Sequence, residues 1–199
     1  MSCYAAVILA AGQGTRFRAA GGQEPSKLLA TLGDVPLVRH VAAAALGART
    51  HPVILVTGHA GEAVAHAVAD LPVTRVHNEH YAAGLAGSLR AGIEAVPGEC
   101  DGAVVLLADM PGIRSATIDA LVARAVEQPR VHAVLPFVGG RRGNPVLLTR
   151  VLFPAVARLA GDAGARHLLR DSALRIEEVA VVDPGALHDI DLPEQLGSS

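Results

Sequence analysis

The feature that most constrains this chain is a repeated alternation of short apolar runs with Ala-rich stretches of helical character. Ala5–Ala10 (AAVILA), Val53–Thr57 (VILVT), Val73–His77, Gly102–Ala108 (GAVVLLA) and Val131–Pro136 read as strands. Ala5–Ala10 is apolar at every position, as a strand covered on both faces must be. Leu37–Leu46, Gly61–Ala69, Leu85–Ala95 and Ser115–Glu127 read as the helices between them. Pro36 stands near the first turn of the first helix, Pro97-Gly98 ends the third, and Ser115 suits an N-cap of the fourth. Strand then helix, repeated, predicts a three-layer α/β/α fold with a mostly parallel, twisted sheet. Beyond residue 138 the pattern changes. Gly139–Thr149 predicts a turn and a short strand, Val151–Leu159 and Ala163–Leu169 two helices, and Glu177–Val182 a last strand. No linker or internal repeat interrupts the chain, so one domain is expected over 1–196, with a disordered tail at 197–199.

Composition narrows the function classes. With 199 residues, 3% aromatics and no Trp, the core must be built from Ala, Val and Leu, and few platforms exist for stacking single-stranded bases. Seventeen basic residues against nineteen acidic ones give a net charge of -2 without a basic stripe, which argues against a polymeric nucleic acid as partner. No apolar run reaches the roughly 18 residues a membrane span needs, and no signal-peptide pattern opens the chain, so a cytoplasmic location is expected. Cys3 and Cys100 lie far apart without metal-ligand spacing and read as free or buried thiols of a reducing compartment.

Open α/β sheets bind ligands beyond the carboxyl ends of their strands. The first strand runs into Leu9-Ala10-Ala11-Gly12-Gln13-Gly14-Thr15-Arg16, and Lys27 follows. Small residues let successive backbone N–H groups approach an anion, and Arg16 and Lys27 would neutralise a triphosphate. The spacing is not that of a P-loop, since no Gly is followed by Lys-Ser/Thr. It is not a dinucleotide fingerprint either, because Phe17 stands where the third glycine belongs. Leu9–Arg16 with Pro25-Ser26-Lys27-Leu28-Leu29 resembles the opening of the sugar-nucleotide and molybdenum-cofactor nucleotidyltransferases, and the resemblance extends over nearly the whole chain. It implies a nucleotide-diphospho-sugar-transferase-like fold, with the loop and Lys27 holding a nucleoside triphosphate.

The fourth strand ends in Asp109-Met110-Pro111, and a carboxylate there is costly unless it is paired or binds a cation. By itself Asp109 also suits a turn cap. Near the C-terminus, His188-Asp189-Ile190-Asp191-Leu192-Pro193-Glu194 adds a second acidic cluster, in which Asp191 equally suits a helix N-cap. The resemblance implies that Asp109 and an acid of this D-x-P-E element hold Mg²⁺. Asp191 is the assignment, with Asp189 in reserve; two oxygen ligands plus phosphates and waters match what Mg²⁺ prefers.

Two further segments complete the reading. Asn78–Arg90 contains Gly84, Gly87 and Ser88, a flexible loop by itself and, by resemblance, the nucleobase site. Gly139-Gly140-Arg141-Arg142-Gly143-Asn144-Pro145 is a polar turn, either a solvated hairpin tip or a site where Arg141, Arg142 and Asn144 bind an anionic acceptor. This string and Gly161-Asp162-Ala163-Gly164-Ala165-Arg166 resemble the molybdenum-cofactor cytidylyltransferase branch. The nine histidines show no zinc spacing, and no G-x-S-x-G elbow exists. The expected activity is Mg²⁺-dependent transfer of a nucleoside monophosphate, CMP from CTP, to the phosphate of a molybdopterin-type acceptor, with pyrophosphate released. Arg16, Lys27 and Asp109 carry the chemistry, and a transient contact with a molybdoenzyme is implied. The alternatives are a sugar phosphate or other phosphorylated metabolite as acceptor, and a non-catalytic module that delivers a nucleotide or cofactor.

Overall fold

The structure is a computed structural model that describes residues 2–197. In chain order it contains β1 (Tyr4–Ala10), α1 (Thr15–Ala19), β2 (Thr31–Leu32), β3 (Val35–Pro36), α2 (Leu37–Leu46), β4 (Val53–Thr57) and α3 (Gly61–His66). β5 (Thr74–His77), α4 (Leu85–Glu94), β6 (Gly102–Leu107), α5 (Ser115–Glu127) and β7 (Ala133–Val138) follow. The last elements are β8 (Arg141–Arg142), β9 (Val146–Thr149), α6 (Phe153–Val156), α7 (Ala165–Leu168) and β10 (Ile176–Ala180).

Every residue of β1 is buried, because helices cover both of its faces. β1 lies between β4 and β6, parallel to both, in a sheet of order β10-β7-β9-β6-β1-β4-β5, with the short β8 added to β7. Among the described strands of this sheet only β9 and β8 run against their neighbours, and β2 and β3 form a separate antiparallel pair. Ala6, Ile8 and Ala10 meet Val38, Val41, Ile118 and Leu121 of α2 and α5, whereas Ala5, Val7 and Leu9 meet Leu89 and Ile93 of α4. The side-chain period of two along β1 therefore assigns alternate residues to two helical layers, giving the expected α/β/α arrangement.

The differences from the sequence reading have local causes. Ser115 is the first residue of α5, not its cap: its hydroxyl donates to the Ala44 carbonyl (2.8 Å). The start of α5 is instead held by Asp183, whose buried carboxylate accepts from Arg114 N–H (3.2 Å) and the Thr117 hydroxyl (2.5 Å). β7 starts later than predicted because Val131 N–H closes a turn on Gln128, and it runs through Pro136 to Val138. The two predicted helices after β9 shrink to a 3-10 turn (Arg150–Leu152) with α6, and to α7. Pro154 opens α6, and Gly161, at φ +59°, turns the chain before α7.

Cys3 and Cys100 are joined in a disulfide, which corrects their reading as thiols. They immediately precede β1 and the Asp101-Gly102 entry to β6, and the parallel register that sets Tyr4 opposite Gly102 brings the sulfurs together. Among the described residues no helix is long and apolar enough to cross a membrane. Gly197 closes a 3-10 turn (Pro193–Gly197); Ser198 and Ser199 lie outside the described residues.

Candidate active site

The carboxyl ends of β1, β4, β5 and β6 open on one edge of the sheet. At the end of β1, the Ala11 carbonyl accepts from His59 N–H (3.2 Å), tying the loop to the end of β4. Gly14 adopts φ +60°, a conformation that favours glycine, and a Cβ there would lie 3.3 Å from Lys27 Cβ. A Cβ on Gly12 would meet nothing within 4 Å, so that position faces open space. Ser26 accepts from Leu28 N–H (3.3 Å) and starts the 3-10 turn Lys27–Leu29 that fixes the lysine.

A strap after β10 supplies the opposing acids. Asp183 accepts from Gly185 N–H (3.1 Å), and Gly185 packs so tightly on the Gly112 backbone that no side chain fits. Ile190 N–H then donates to the Asp109 carbonyl (2.9 Å), which sets the strap against the end of β6. Gln195 Oε1 accepts from Asp191 N–H and Leu192 N–H (2.7 Å each), so the Asp191 carboxylate is not used as a helix cap.

It turns inward instead. Lys27 Nζ lies 2.8 Å from Asp109 Oδ2 and 2.9 Å from Asp191 Oδ1, and donates to the Ile190 carbonyl (3.0 Å). Arg16 Nη1 pairs with Asp191 Oδ2 at 2.7 Å. One carboxylate oxygen from each of Asp109, Asp189 and Asp191 lies within 4.8 Å of the other two. Burial would lower the pKa of Lys27, but attraction and hydrogen bonds to Asp109 and Asp191 outweigh it, and the net shift is upward. The hydrogen bond from Lys27 leads in lowering Asp191, against its own partial burial, and Arg16 adds to the effect. Asp109 Oδ1 is buried without a hydrogen-bond partner among the described residues. An orphaned carboxylate oxygen beside two further acids is a donor set that fits a divalent cation.

Two adjoining cavities meet at this cluster. The first, about 370 Å³, is bounded by the glycine loop (Ala11, Gly12, Gln13, Thr15), Lys27, Tyr81, Gly84, Ser88 and Asp109. The second, about 640 Å³, is bounded by Arg141, Arg142, Asn144, Arg166, Arg170 and Asp189. Leu9, Leu85, Leu107 and Asp162 border both.

The structure thus gathers Leu9, Ala11, Gly12, Thr15, Lys27, Gly84, Ser88 and Asp109 around one space. Ala10 is buried in the core, Gly87 packs beside the Asn78 side chain, Gly14 turns the loop against Lys27 and Arg16 pairs with Asp191; none of the four borders that space. The Ser88 hydroxyl accepts from Asn78 Nδ2 (3.0 Å) and is buried. Arg142 is engaged by Glu178 (2.7 Å), whereas Arg166 reaches the Arg142 carbonyl (3.2 Å) from the far side of the second cavity. Burial lowers the pKa of Arg166, Asp189 opposes this and Arg141 adds to it; all three border the second cavity. Sequence reading singled out neither Tyr81, Arg170 nor Gln195: Tyr81 and Gln195 lie in or beside segments chosen for their glycines and acids, and Arg170 stands in a stretch with no chemical pattern of its own.

The sheet, open at the carboxyl ends of its strands, has the nucleotide-diphospho-sugar-transferase fold, the fold of nucleotidyltransferases. Residues 6–179 match the MobA-like NTP transferase domain, and the chain belongs to that family. Nicotine blue oxidoreductase of Paenarthrobacter nicotinovorans is 30% identical over 209 residues, spanning 98% of this chain and 96% of that one. A nucleotidyl transferase from Methanothermobacter thermautotroptrophicus (Mth528) superposes with a TM-score of 0.83 at 25% identity, over 100% of this chain and 96% of that one. Rv0371c of Mycobacterium tuberculosis in complex with manganese superposes with a TM-score of 0.72 at 26% identity, over 90% and 88% of the two chains.

Proposed function

We propose that the chain transfers the nucleoside monophosphate of CTP to the phosphate of a molybdopterin-type acceptor, with Mg²⁺ as its metal, and that residues 1–196 act as one unit in the cytoplasm. The observation that carries this reading is the convergence of Asp109, Asp189 and Asp191 on one point, shared with Lys27, beside the glycine turn. The first cavity takes the triphosphate and base, and the second takes the acceptor. The junction at Asp109 and Asp189 is where the acceptor oxygen meets the α-phosphorus.

The acceptor phosphate is already ionised near neutral pH, so its oxygen attacks the α-phosphorus without a strong general base. The bond to the bridging oxygen of the β-phosphate breaks, and pyrophosphate leaves. Catalysis is then positioning and charge stabilisation. The N–H groups of the turn at Gly12 and Gly14 face the phosphates. Lys27 and Arg16, which hold Asp191 in the resting site, turn to the β- and γ-phosphates and stabilise the leaving group. Asp109 and Asp191, with Asp189 beside them, would hold Mg²⁺, which when bound offsets charge on the non-bridging oxygens. Gly84 and Ser88 with Asn78 shape the base end. Arg141, Arg166 and Asn144 orient the acceptor; Arg142, neutralised by Glu178, supports the hairpin.

The choice of CTP and molybdopterin rests on the G-R-R-G-N-P and G-D-A-G-A-R strings, and on the Arg-lined second cavity being wide enough for a bulky anion. A transient contact with a molybdoenzyme that receives the product belongs to the same reading. Incubating the protein with Mg²⁺, each of the four nucleoside triphosphates and either molybdopterin or a panel of sugar phosphates tests it through pyrophosphate release. Turnover is expected with CTP and molybdopterin. Turnover with sugar phosphates alone would reassign the acceptor, and release with none would remove the catalytic reading.

A further inference from the structure

The edge of the sheet opposite the active site carries a third concavity, of about 750 Å³, where the amino ends of β1, β7 and β10 and the Asp101 entry to β6 meet the far end of β9. Tyr4 opens β1, and six strand residues at about 3.3 Å each separate it from Ala10 by roughly 20 Å. The concavity shares no residue with the two cavities of the active site.

Its lining is rich in donors. Three arginines (Arg130, Arg150 and Arg175) and His132 face a single acid, Asp101. Arg150 is committed to the fold: it donates to the Cys100 and Pro97 carbonyls and covers the Phe153 ring at 4.9 Å. Asp101 is likewise engaged, accepting from Cys3 N–H (3.0 Å). The guanidinium groups of Arg130 and Arg175 have neither an ion pair nor a hydrogen bond among the described residues. His132 Nδ1 accepts from Arg175 N–H (2.8 Å), so the proton of the neutral ring resides on Nε2, which is a donor. Tyr4 is 6% exposed, its hydroxyl has no partner among the described residues, and burial followed by the charge of Asp101 keeps it protonated. Gly102 makes room for the tyrosine, since a Cβ there would lie 3.1 Å from Tyr4 Cε1. Four uncommitted donor groups, two of them guanidinium cations, outnumber the single acid, of which Oδ2 is engaged by Cys3 N–H, and this excess of donors and positive charge matches an oxyanion. On the rim stand Val126 and Val151, 49% and 62% exposed, two of the four large apolar side chains that the surface displays among the described residues.

We propose that this concavity binds a small organic anion, a phosphate or carboxylate joined to an apolar or aromatic body, at a site separate from the active site. The oxyanion lies against Arg130, Arg175, His132 Nε2 and the Tyr4 hydroxyl, and the apolar body lies against Val126 and Val151.

The test is an amide chemical-shift titration of the full chain with phenyl phosphate, benzoate and inorganic phosphate in turn, with the active site first saturated by CTP and Mg²⁺. Saturable shifts at residues 130–132 and 175 are expected for phenyl phosphate or benzoate, with inorganic phosphate weaker because it lacks the apolar part. The tighter of the two aryl probes identifies the oxyanion. Arg130→Ala and Arg175→Ala should each weaken that probe about tenfold, the loss of one charge-assisted contact. Val151→Asp should weaken the aryl probe while leaving the fold intact by melting temperature. The proposal is overturned if no aryl probe gives saturable shifts there, or if both arginine variants bind it as the unaltered protein does.

Discussion

Lys27 occupies, in the resting site, carboxylate oxygens that a metal would need, so replacing it should tighten metal binding while destroying nucleotide use. Its ammonium group contacts Asp109 at 2.8 Å and Asp191 at 2.9 Å, with side-chain exposures of 11%, 23% and 30% for Lys27, Asp109 and Asp191. A hydrogen bond to a charged group contributes about 1.5–3 kcal/mol net. Both acids are partly solvated, and screening moves the two contacts together toward about 3 kcal/mol. The lysine can swing aside at some cost and Asp109 Oδ1 is already unengaged, so about half of that amount or more should appear as metal affinity. Lys27→Met, similar in length and uncharged, should then bind Mn²⁺ without nucleotide about ten- to a hundredfold more tightly, at 1.4 kcal/mol per decade. The same change leaves Asp109 without its counter-ion and Asp191 with only the exposed Arg16, and should destabilise the metal-free protein by about 2–3 kcal/mol. At about 2–4 °C per kcal/mol its melting temperature falls, and Mn²⁺ should restore more of it than in the unaltered protein. Calorimetric titration with Mn²⁺ and thermal melts with and without the ion read both effects. Equal or weaker Mn²⁺ binding by Lys27→Met would refute the competition between ammonium and metal at these carboxylates.

Other perturbations separate the roles of neighbouring groups. Asp109→Asn should reduce pyrophosphate release about a thousandfold with the fold retained by circular dichroism, since it removes one of the converging carboxylates; near-normal turnover would take Asp109 out of the site. Arg141→Ala should raise the acceptor KM about tenfold without changing the CTP KM, whereas Arg142→Ala, whose charge Glu178 already engages, should cost less than about 1 kcal/mol of stability and little acceptor affinity. The reverse order would exchange their assignments. Away from the site, Arg39 holds Asp70 through a two-pronged contact (2.5 and 2.9 Å) and lowers its pKa from 3.8 to about 2. A depressed carboxylate pKa means the pair stabilises the fold above the ordinary value and loses this effect as pH falls through the folded value, a window between about pH 4 and 2. A carboxyl ¹³C titration should show the Asp70 midpoint near 2 and its return toward 3.8 in Arg39→Ala; a midpoint near 4 in the unaltered protein would contradict the contact.

The parts of this molecule that were legible in the sequence are those whose physics is local. β4 and α2 have the bounds their apolar runs suggest, because a strand covered on both faces and an amphipathic helix each write their period into consecutive residues. What remained hidden depends on partners distant in the chain. The Cys3–Cys100 bond follows from the register of β1 against β6, which no spacing rule encodes. Asp183 reads as one acid in a loop until the fold sets it under the start of α5, 66 residues from Thr117. The same distinction runs through the site. The glycine turn is a string, and its open face at Gly12 is visible as small residues. That Lys27 rests between Asp109 and Asp191 is a property of the strap, fixed by Ile190 on the Asp109 carbonyl and by the Gly185–Gly112 contact. Substitutions that loosen the strap without touching an acid should therefore mimic loss of the acids. Gly185 is the position where this follows most directly, since any side chain there meets the Gly112 backbone and pushes residues 189–191 away from the end of β6.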